Sequence, residues 1–130
     1  GHIPGKDGIY AAALLVEMLC TIGKPITEIL DEIHAKYGYL AMAEFDCRFS
    51  LEKKREIEKL LFEERKLPDF GIEVAKASYA DGLKVTFADG NGWINCRFSG
   101  TEPLIRIFCE RETLEEGRRL IGVMREFTGL

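Results

Sequence analysis

Four strand-like segments joined by short turns constrain the fold of this chain more than any other feature. They span residues 71–79, 83–88, 93–98 and 104–110. The first two flank Ala80-Asp81-Gly82, a typical hairpin turn. Leu83, Val85 and Phe87 alternate with polar residues, as in a strand with one buried face. The pattern therefore predicts an antiparallel sheet.

Helical segments accompany these strands. Ser50 is a typical N-cap, and Thr113 with Glu116 forms a capping box. Helices are expected at residues 8–22, 25–36, 51–65 and 114–127, and a further strand at residues 39–49. Residues 39–130 thus predict a compact α+β domain of order β-α-β-β-β-β-α, with helices on one face of an antiparallel sheet.

The first expected helix, residues 8–22, is apolar nearly all round. Glu17 is its only charged residue. A helix of this kind is normally surrounded by protein on every side. A chain of 130 residues is too short to surround it and also to form the sheet domain. Residues 1–38 are therefore expected to be the helical end of a neighbouring, incomplete domain.

Charge and composition exclude several function classes. The net charge of −4 disfavours general nucleic-acid binding, which needs a clustered positive field. No run is long and apolar enough to span a bilayer, and no signal peptide is visible, so no membrane partner is expected. The four cysteines are scattered without metal-ligand spacing, which predicts no metal site and a reducing, cytoplasmic setting.

The turn between the last two strands has the composition of a phosphate site. It runs from Arg97 through Phe-Ser-Gly-Thr-Glu-Pro-Leu-Ile to Arg106. Two guanidinium forks, the hydroxyls of Ser99 and Thr101, and a tight turn at Gly100 suit a bound anion. Strand alternation places both arginines opposite the apolar face, so both are expected to converge on one concavity.

Two other interpretations stay open at this stage. In the first, the turn is a plain hairpin in which Glu102 pairs with Arg97 or Arg106. In the second, Lys6 binds an anion at the N-terminus of the helix at residues 8–22, although the residues alone favour an exposed lysine beside an N-cap. The sequence contains no nucleophile–base arrangement that indicates a catalytic centre.

The motif Arg97-Phe-Ser-Gly-Thr-Glu-Pro followed by Arg106 resembles the C-terminal phosphate-binding loop of the α-D-phosphohexomutases. The opening Gly-His-Ile-Pro-Gly-Lys-Asp-Gly resembles the segment that follows the sugar-recognition loop in their third domain. The resemblance implies four domains around one cleft, with a phosphoserine on the first and Mg²⁺ on the second. It also implies a TATA-binding-protein-like fourth domain that clamps the substrate phosphate.

Carried over by position, the resemblance implies a phosphate clamp and one further substrate contact. The clamp consists of Arg97, Ser99, Gly100, Thr101 and Arg106, and Lys6 is the further contact. The phosphoserine, metal and sugar loops are not found in this sequence. The chain is thus expected to comprise residues 1–38 from the end of a third, α/β domain and residues 39–130 as the fourth domain.

The resemblance also sets the expected activity. The whole enzyme would interconvert hexose 1-phosphate and hexose 6-phosphate, with glucose as the first choice and mannose as a second substrate. This chain alone would be inactive, have no catalytic residue and bind no Mg²⁺. Its partners would be the sugar phosphate and the N-terminal domains of the same enzyme.

Three alternatives remain. One is a phosphoglucosamine or phosphoacetylglucosamine mutase, and another is a non-catalytic anion-binding or interaction module. In the third, the chain self-associates through residues 9–22.

Overall fold

The structure, a computed structural model, describes residues 5–100 and 102–130. Of the expected clamp residues, Thr101 lies outside this description, as does the opening Gly1-His2-Ile3-Pro4. Two compact units are distinguished, Gly1–Tyr39 and Leu40–Leu130.

The described part of the first unit contains two helices, α1 at Gly8–Ile22 and α2 at Ile26–Tyr37. The Asp7 carboxylate caps α1 by accepting a hydrogen bond from the Tyr10 backbone N–H at 2.9 Å. The helix ends at Gly23, which adopts a left-handed φ of 69°. Just before α2, the ammonium of Lys24 contacts the carboxylates of Glu28 and Glu32 in that helix.

Helix α1 exposes its apolar side chains. None of its residues is buried, and Ile9 is 87% exposed. Within the described part of the chain, no single helix is long and apolar enough to cross a bilayer. Only α1 and α2 taken together reach that length and composition, across an 85° bend.

The second unit is an α+β domain built on five antiparallel strands, which confirms the predicted fold class. The strands are β1 at Ala41–Arg48, β2 at Val74–Ser78, β3 at Leu83–Phe87, β4 at Trp93–Phe98 and β5 at Leu104–Arg111. They lie in the order β1-β5-β4-β3-β2. Helix α3 spans Leu51–Glu58 and continues into a π-helical turn at Lys59–Glu63, and α4 spans Leu114–Thr128.

One face of the sheet carries the hydrophobic core. Every second residue along each strand points toward the helices. The helices contribute Ile57, Leu61, Leu120 and Met124 to the core. The strands contribute Ala43, Leu83, Val85, Phe87, Ile94, Cys96, Ile105, Ile107 and Cys109. Cys96 and Cys109 are free thiols in this core, and burial raises the pKa of each to about 12. Every residue of this cluster belongs to the second unit.

Two local details differ from the sequence prediction. The helix expected at residues 51–65 is α-helical only to Glu58, and its last turn is π-helical. Strand β2 begins at Val74 rather than near residue 71, because the Asp69 carboxylate accepts a hydrogen bond from Gly71, whose φ is 68°. Such an Asx turn is incompatible with a strand start.

A buried arginine fixes the end of the sheet away from the Arg97–Arg106 turn. Arg111 is 3% exposed and donates to the Asp89 carboxylate at 2.8 and 3.2 Å and to Glu116 at 2.7 Å. It therefore connects the β3–β4 turn, β5 and α4. Hydrogen bonds from Arg111 lower the pKa of Asp89 below its ordinary value.

Candidate functional site

The two arginines predicted to bind phosphate lie directly opposite each other. In the register of β4 and β5, the Cα atoms of Arg97 and Arg106 are partners. Their strand neighbours Cys96, Ile105 and Ile107 are buried in the core, so both arginines project from the face opposite the helices. The expected common face is therefore present.

The arginines belong to a row of four charged residues, which we call the charge row. It consists of Asp46, Arg106, Arg97 and Asp81. Asp46 is the β1 register partner of Arg106. One Asp46 carboxylate oxygen lies 3.5 Å from Arg106 Nε, and one Asp81 oxygen lies 3.2 Å from Arg97 Nε. The order across the sheet is thus acid, base, base, acid.

The charge row is open to solvent. The side chains of Arg97 and Arg106 are 58% and 49% exposed, and those of Asp81 and Asp46 are 72% and 50% exposed. Exposed ion pairs contribute only about 0–1 kcal/mol each. In the free protein each guanidinium is paired with its flanking aspartate.

Gly82 explains how Asp81 reaches Arg97. Its φ of 74° is left-handed, and a Cβ there would lie 2.6 Å from the Cys96 carbonyl oxygen and 3.1 Å from Arg97 Cα. Only glycine fits this conformation and this approach. The hairpin turn thus lies against β4 at the position of Arg97, with Asp81 next to it.

The turn itself is held by backbone hydrogen bonds. The Ser99 N–H donates to the Leu104 carbonyl at 2.8 Å, and the Phe49 N–H donates to the Pro103 carbonyl at 3.3 Å. Gly100 is exposed, has no left-handed φ, and an added Cβ would meet no heavy atom within 4 Å. The free fold therefore does not require glycine at position 100.

Glu102 does not neutralise either site arginine by an ion pair in the described structure. Its carboxylate lies 3.6 Å from Arg48 Nη2, at the end of β1. The plain-hairpin interpretation, in which Glu102 pairs with Arg97 or Arg106, is therefore wrong. Sequence reasoning missed Arg48, because only the pairing of β1 with β5 brings it to this turn.

A groove between the turn and α3 is lined by a further positively charged side chain, that of Lys54. Its lining includes Phe49, Leu51, Lys54, Ser99, Gly100, Glu102 and Pro103. Lys54 Nζ lies 3.5 Å from Glu58 Oε1 and 5.3 Å from the centroid of the Phe98 ring. Sequence reasoning missed Lys54 as well. The N-cap at Ser50, which fixes the start of α3, was the available signal.

Other predicted residues lie elsewhere. Lys6 is exposed in the first unit, one residue before the N-cap Asp7. His34 packs edge-on against Tyr39, with ring centroids 4.9 Å apart. Within residues 5–100 and 102–130, no three His, Cys, Asp or Glu side chains are grouped so as to hold a metal ion. The described residues thus do not fit the Mg²⁺ implied for the whole enzyme.

Comparison with known proteins gives a family match. Residues 48–126 match the family "Phosphoglucomutase/phosphomannomutase, C-terminal domain". This range contains β4, β5 and the whole turn between Arg97 and Arg106.

Curated relatives agree with this match. A phosphoglucomutase/phosphomannomutase of Thermococcus kodakarensis is 32% identical over 90% of this chain. A probable phosphoglucosamine mutase of Pyrococcus furiosus is 36% identical over 92%, and the phosphoglucosamine mutase of Bacillus subtilis is 27% identical over 95%. The chain spans only 23–24% of the length of these relatives.

Proposed function

The chain belongs to the phosphoglucomutase/phosphomannomutase family, and on this premise we propose that residues 39–130 clamp the phosphate group of a hexose phosphate. The clamp consists of Arg97, Ser99, Gly100, Thr101 and Arg106. The whole protein would interconvert hexose 1-phosphate and hexose 6-phosphate. Residues 1–38 would be the last helices of its third domain, with Lys6 as a second substrate contact.

The observation that carries the proposal is the direct opposition of Arg97 and Arg106. Like charges on paired strand positions destabilise a sheet, so this arrangement costs free energy unless an anion compensates for it. A phosphate dianion between two guanidinium forks provides that compensation with several charge-assisted hydrogen bonds. The two flanking aspartates compensate only partly, because they are exposed.

A clamp that recognises charge suits a reaction with two phosphate positions. In the proposed reaction a bisphosphorylated sugar turns over in the cleft, so either phosphate must fit the same grip. Arginines and backbone N–H groups bind the phosphate oxygens whatever the orientation of the sugar ring. The residues of this chain thus hold the phosphate that is not reacting, while the transfer itself takes place elsewhere in the whole protein.

The sugar is the finer part of the proposal. Glucose is the first choice, with mannose as a second substrate. Glucosamine is the alternative to glucose, because relatives named phosphoglucomutase/phosphomannomutase and relatives named phosphoglucosamine mutase match the chain at similar identity. Assaying the whole protein with glucose 1-phosphate, mannose 1-phosphate and glucosamine 1-phosphate would decide between them.

The proposal includes the setting of the whole protein. Its remaining domains would cover the apolar side chains of α1 and would supply the phosphoserine and the Mg²⁺ ligands. The four free cysteines support a reducing, cytoplasmic location. We expect this chain alone to have no mutase activity and to bind sugar phosphate no tighter than about millimolar.

Phosphate titration followed by amide NMR tests the clamp. Inorganic phosphate should shift signals at residues 97–106 in the 130-residue chain. Arg97→Ala and Arg106→Ala should each weaken binding by roughly ten- to a hundredfold, because each removes a charge-assisted donor worth about 1.5–3 kcal/mol. Arg118→Ala, at an exposed position of α4, is the matched control and should bind like the unmodified chain.

Two outcomes would contradict the clamp. In one, phosphate causes no shifts at residues 97–106. In the other, the Arg118→Ala variant loses as much affinity as the site variants, which would indicate a general charge effect. Concentration-dependent shifts confined to residues 9–22 would instead support an interaction module.

A further inference from the structure

We infer that Asp46 and Asp81 are built-in counter-ions that occupy Arg106 and Arg97 when no phosphate is bound, and thereby weaken the grip on phosphate. The inference rests on the proposed function, since it concerns how that clamp is tuned.

The geometry of the charge row supports exchangeable pairs. Each aspartate reaches its arginine through one oxygen at Nε, at 3.2 Å for Asp81 and 3.5 Å for Asp46. Neither contact is the bidentate fork of a strong arginine–carboxylate pair. Among the described residues, no other ion pair involves Arg97 or Arg106. The bidentate pair of the buried Arg111 with Asp89, at 2.8 and 3.2 Å, provides the contrast within the same sheet.

The charges favour exchange over simple support. Two arginines and two aspartates give the row a formal charge of zero, so in the free protein the aspartates reduce the repulsion between the like charges on paired strand positions. A phosphate dianion would bring the row to −2 if both aspartates stayed in place. Their carboxylates therefore oppose the bound phosphate, and moving away relieves that repulsion.

This tuning suits a clamp that must release its ligand. In the proposed reaction the clamp must release one phosphate of the bisphosphorylated intermediate. It must then bind the other phosphate of the same molecule. The carboxylates of Asp46 and Asp81 pair with the arginines again as the phosphate leaves. Release therefore does not leave the two arginines without any counter-ion. The same aspartates make the resting affinity lower than the arginines alone would give.

The test measures phosphate affinity in variants that remove one carboxylate at a time. Asp81→Asn and Asp46→Asn should each tighten binding of inorganic phosphate to the 130-residue chain by about two- to fivefold, the range expected for an exposed ion pair. Asp81→Glu, which keeps the charge, should bind like the unmodified chain. Both aspartates are exposed, so the variants should fold, which their amide spectra would verify.

Glu102→Gln is the matched local control. It removes a carboxylate from the same turn, but one that pairs with Arg48 instead of a clamp arginine. Its phosphate affinity should stay unchanged. Glu112→Gln removes an exposed carboxylate beyond the far end of β5 and should also have no effect.

The outcomes separate the inference from the proposed function. Unchanged or weaker binding in Asp81→Asn and Asp46→Asn overturns the inference, since the aspartates would then be neutral or supporting. Equal tightening in Glu102→Gln also overturns it, because a general field would explain the effect. Loss of binding in Arg97→Ala with no gain in the aspartate variants keeps the clamp and removes only the counter-ions. Absence of phosphate binding in every variant overturns both.

Discussion

Gly100 separates a requirement of the fold from a requirement of the ligand. Its backbone has no left-handed φ, and there is free space where a Cβ would be. Gly82, in contrast, combines a φ of 74° with too little space for a Cβ, which would lie 2.6 Å from the Cys96 carbonyl oxygen, so the fold itself demands glycine there. If Gly100 serves the clamp, it does so by leaving room for phosphate beside the backbone N–H groups.

Gly100→Ala should therefore lower phosphate affinity without lowering stability. The free energy of unfolding should stay constant or rise by up to about 1 kcal/mol, because alanine restricts the unfolded chain. Phosphate affinity should fall by roughly tenfold, which corresponds to one lost charge-assisted hydrogen bond. Urea denaturation and phosphate titration measure the two effects.

Gly122→Ala provides the control for this prediction. Gly122 lies in α4, and a Cβ there also meets no atom within 4 Å. This variant should be stabilised without any change in phosphate affinity. Loss of stability in Gly100→Ala, or normal phosphate binding by it, would contradict a ligand-imposed glycine.

At the scale of elements, the sheet is anchored at one end and open at the other. Arg111 ties β5, α4 and the β3–β4 turn together through a buried, bidentate contact with Asp89 and a further bond to Glu116. At the opposite end of β5, Arg106 is half exposed with a single carboxylate contact. A rigid anchor away from the turn fixes the strand register, while the charge row can still rearrange.

This anchor makes stability depend on acid. Because Arg111 and the Asn91 N–H hold the pKa of Asp89 below its ordinary value of 3.8, the carboxylate stabilises the fold above that value. The contribution is lost as the pH falls through the lower pKa of the folded state. The urea concentration at which half of the protein is unfolded should thus be lower at about pH 3 than at about pH 6. Asp89→Asn should remove part of that difference.

A surface carboxylate serves as the comparison for Asp89. Asp89→Asn should already be less stable than the unmodified chain at about pH 6, since it leaves the buried Arg111 without its bidentate partner. Glu126→Gln, at an exposed position of α4, should be as stable as the unmodified chain at that pH. An unaltered pH dependence in Asp89→Asn would show that the anchor does not govern acid stability.

At the scale of the whole molecule, the main hydrophobic cluster lies in one of the two units. All members of the main hydrophobic cluster come from Leu40–Leu130, whereas no residue of α1 is buried. A domain with its own core can fold alone. The apolar α1 helix needs a cover, which the proposed function assigns to the remaining domains of the whole protein.

Residues 40–130 expressed alone should therefore unfold cooperatively. Their amide spectrum should overlay that of the same residues in the 130-residue chain, and phosphate should bind with equal affinity. Sedimentation should show any concentration-dependent association only in the longer chain, because α1 carries the exposed apolar side chains. A molten spectrum or loss of phosphate binding in residues 40–130 would contradict an independent clamp domain.

The sequence by itself determined the elements and the face of each strand residue. Ser50 and Thr113 cap helices as predicted, and β4 spans Trp93–Phe98 as expected. Alternation alone placed Arg97 and Arg106 on the exposed face. These features depend on capping and on a period of two residues, which act over a few neighbours and can be read along the chain.

Only the tertiary structure decided which side chains meet. The pairing of β1 with β5 brings Asp46 to Arg106 and Arg48 to Glu102, across separations of more than fifty residues. No local pattern encodes that strand order, because burying the shared apolar face of the whole sheet selects it. The arginines could thus be predicted from the sequence, but their carboxylate partners could not.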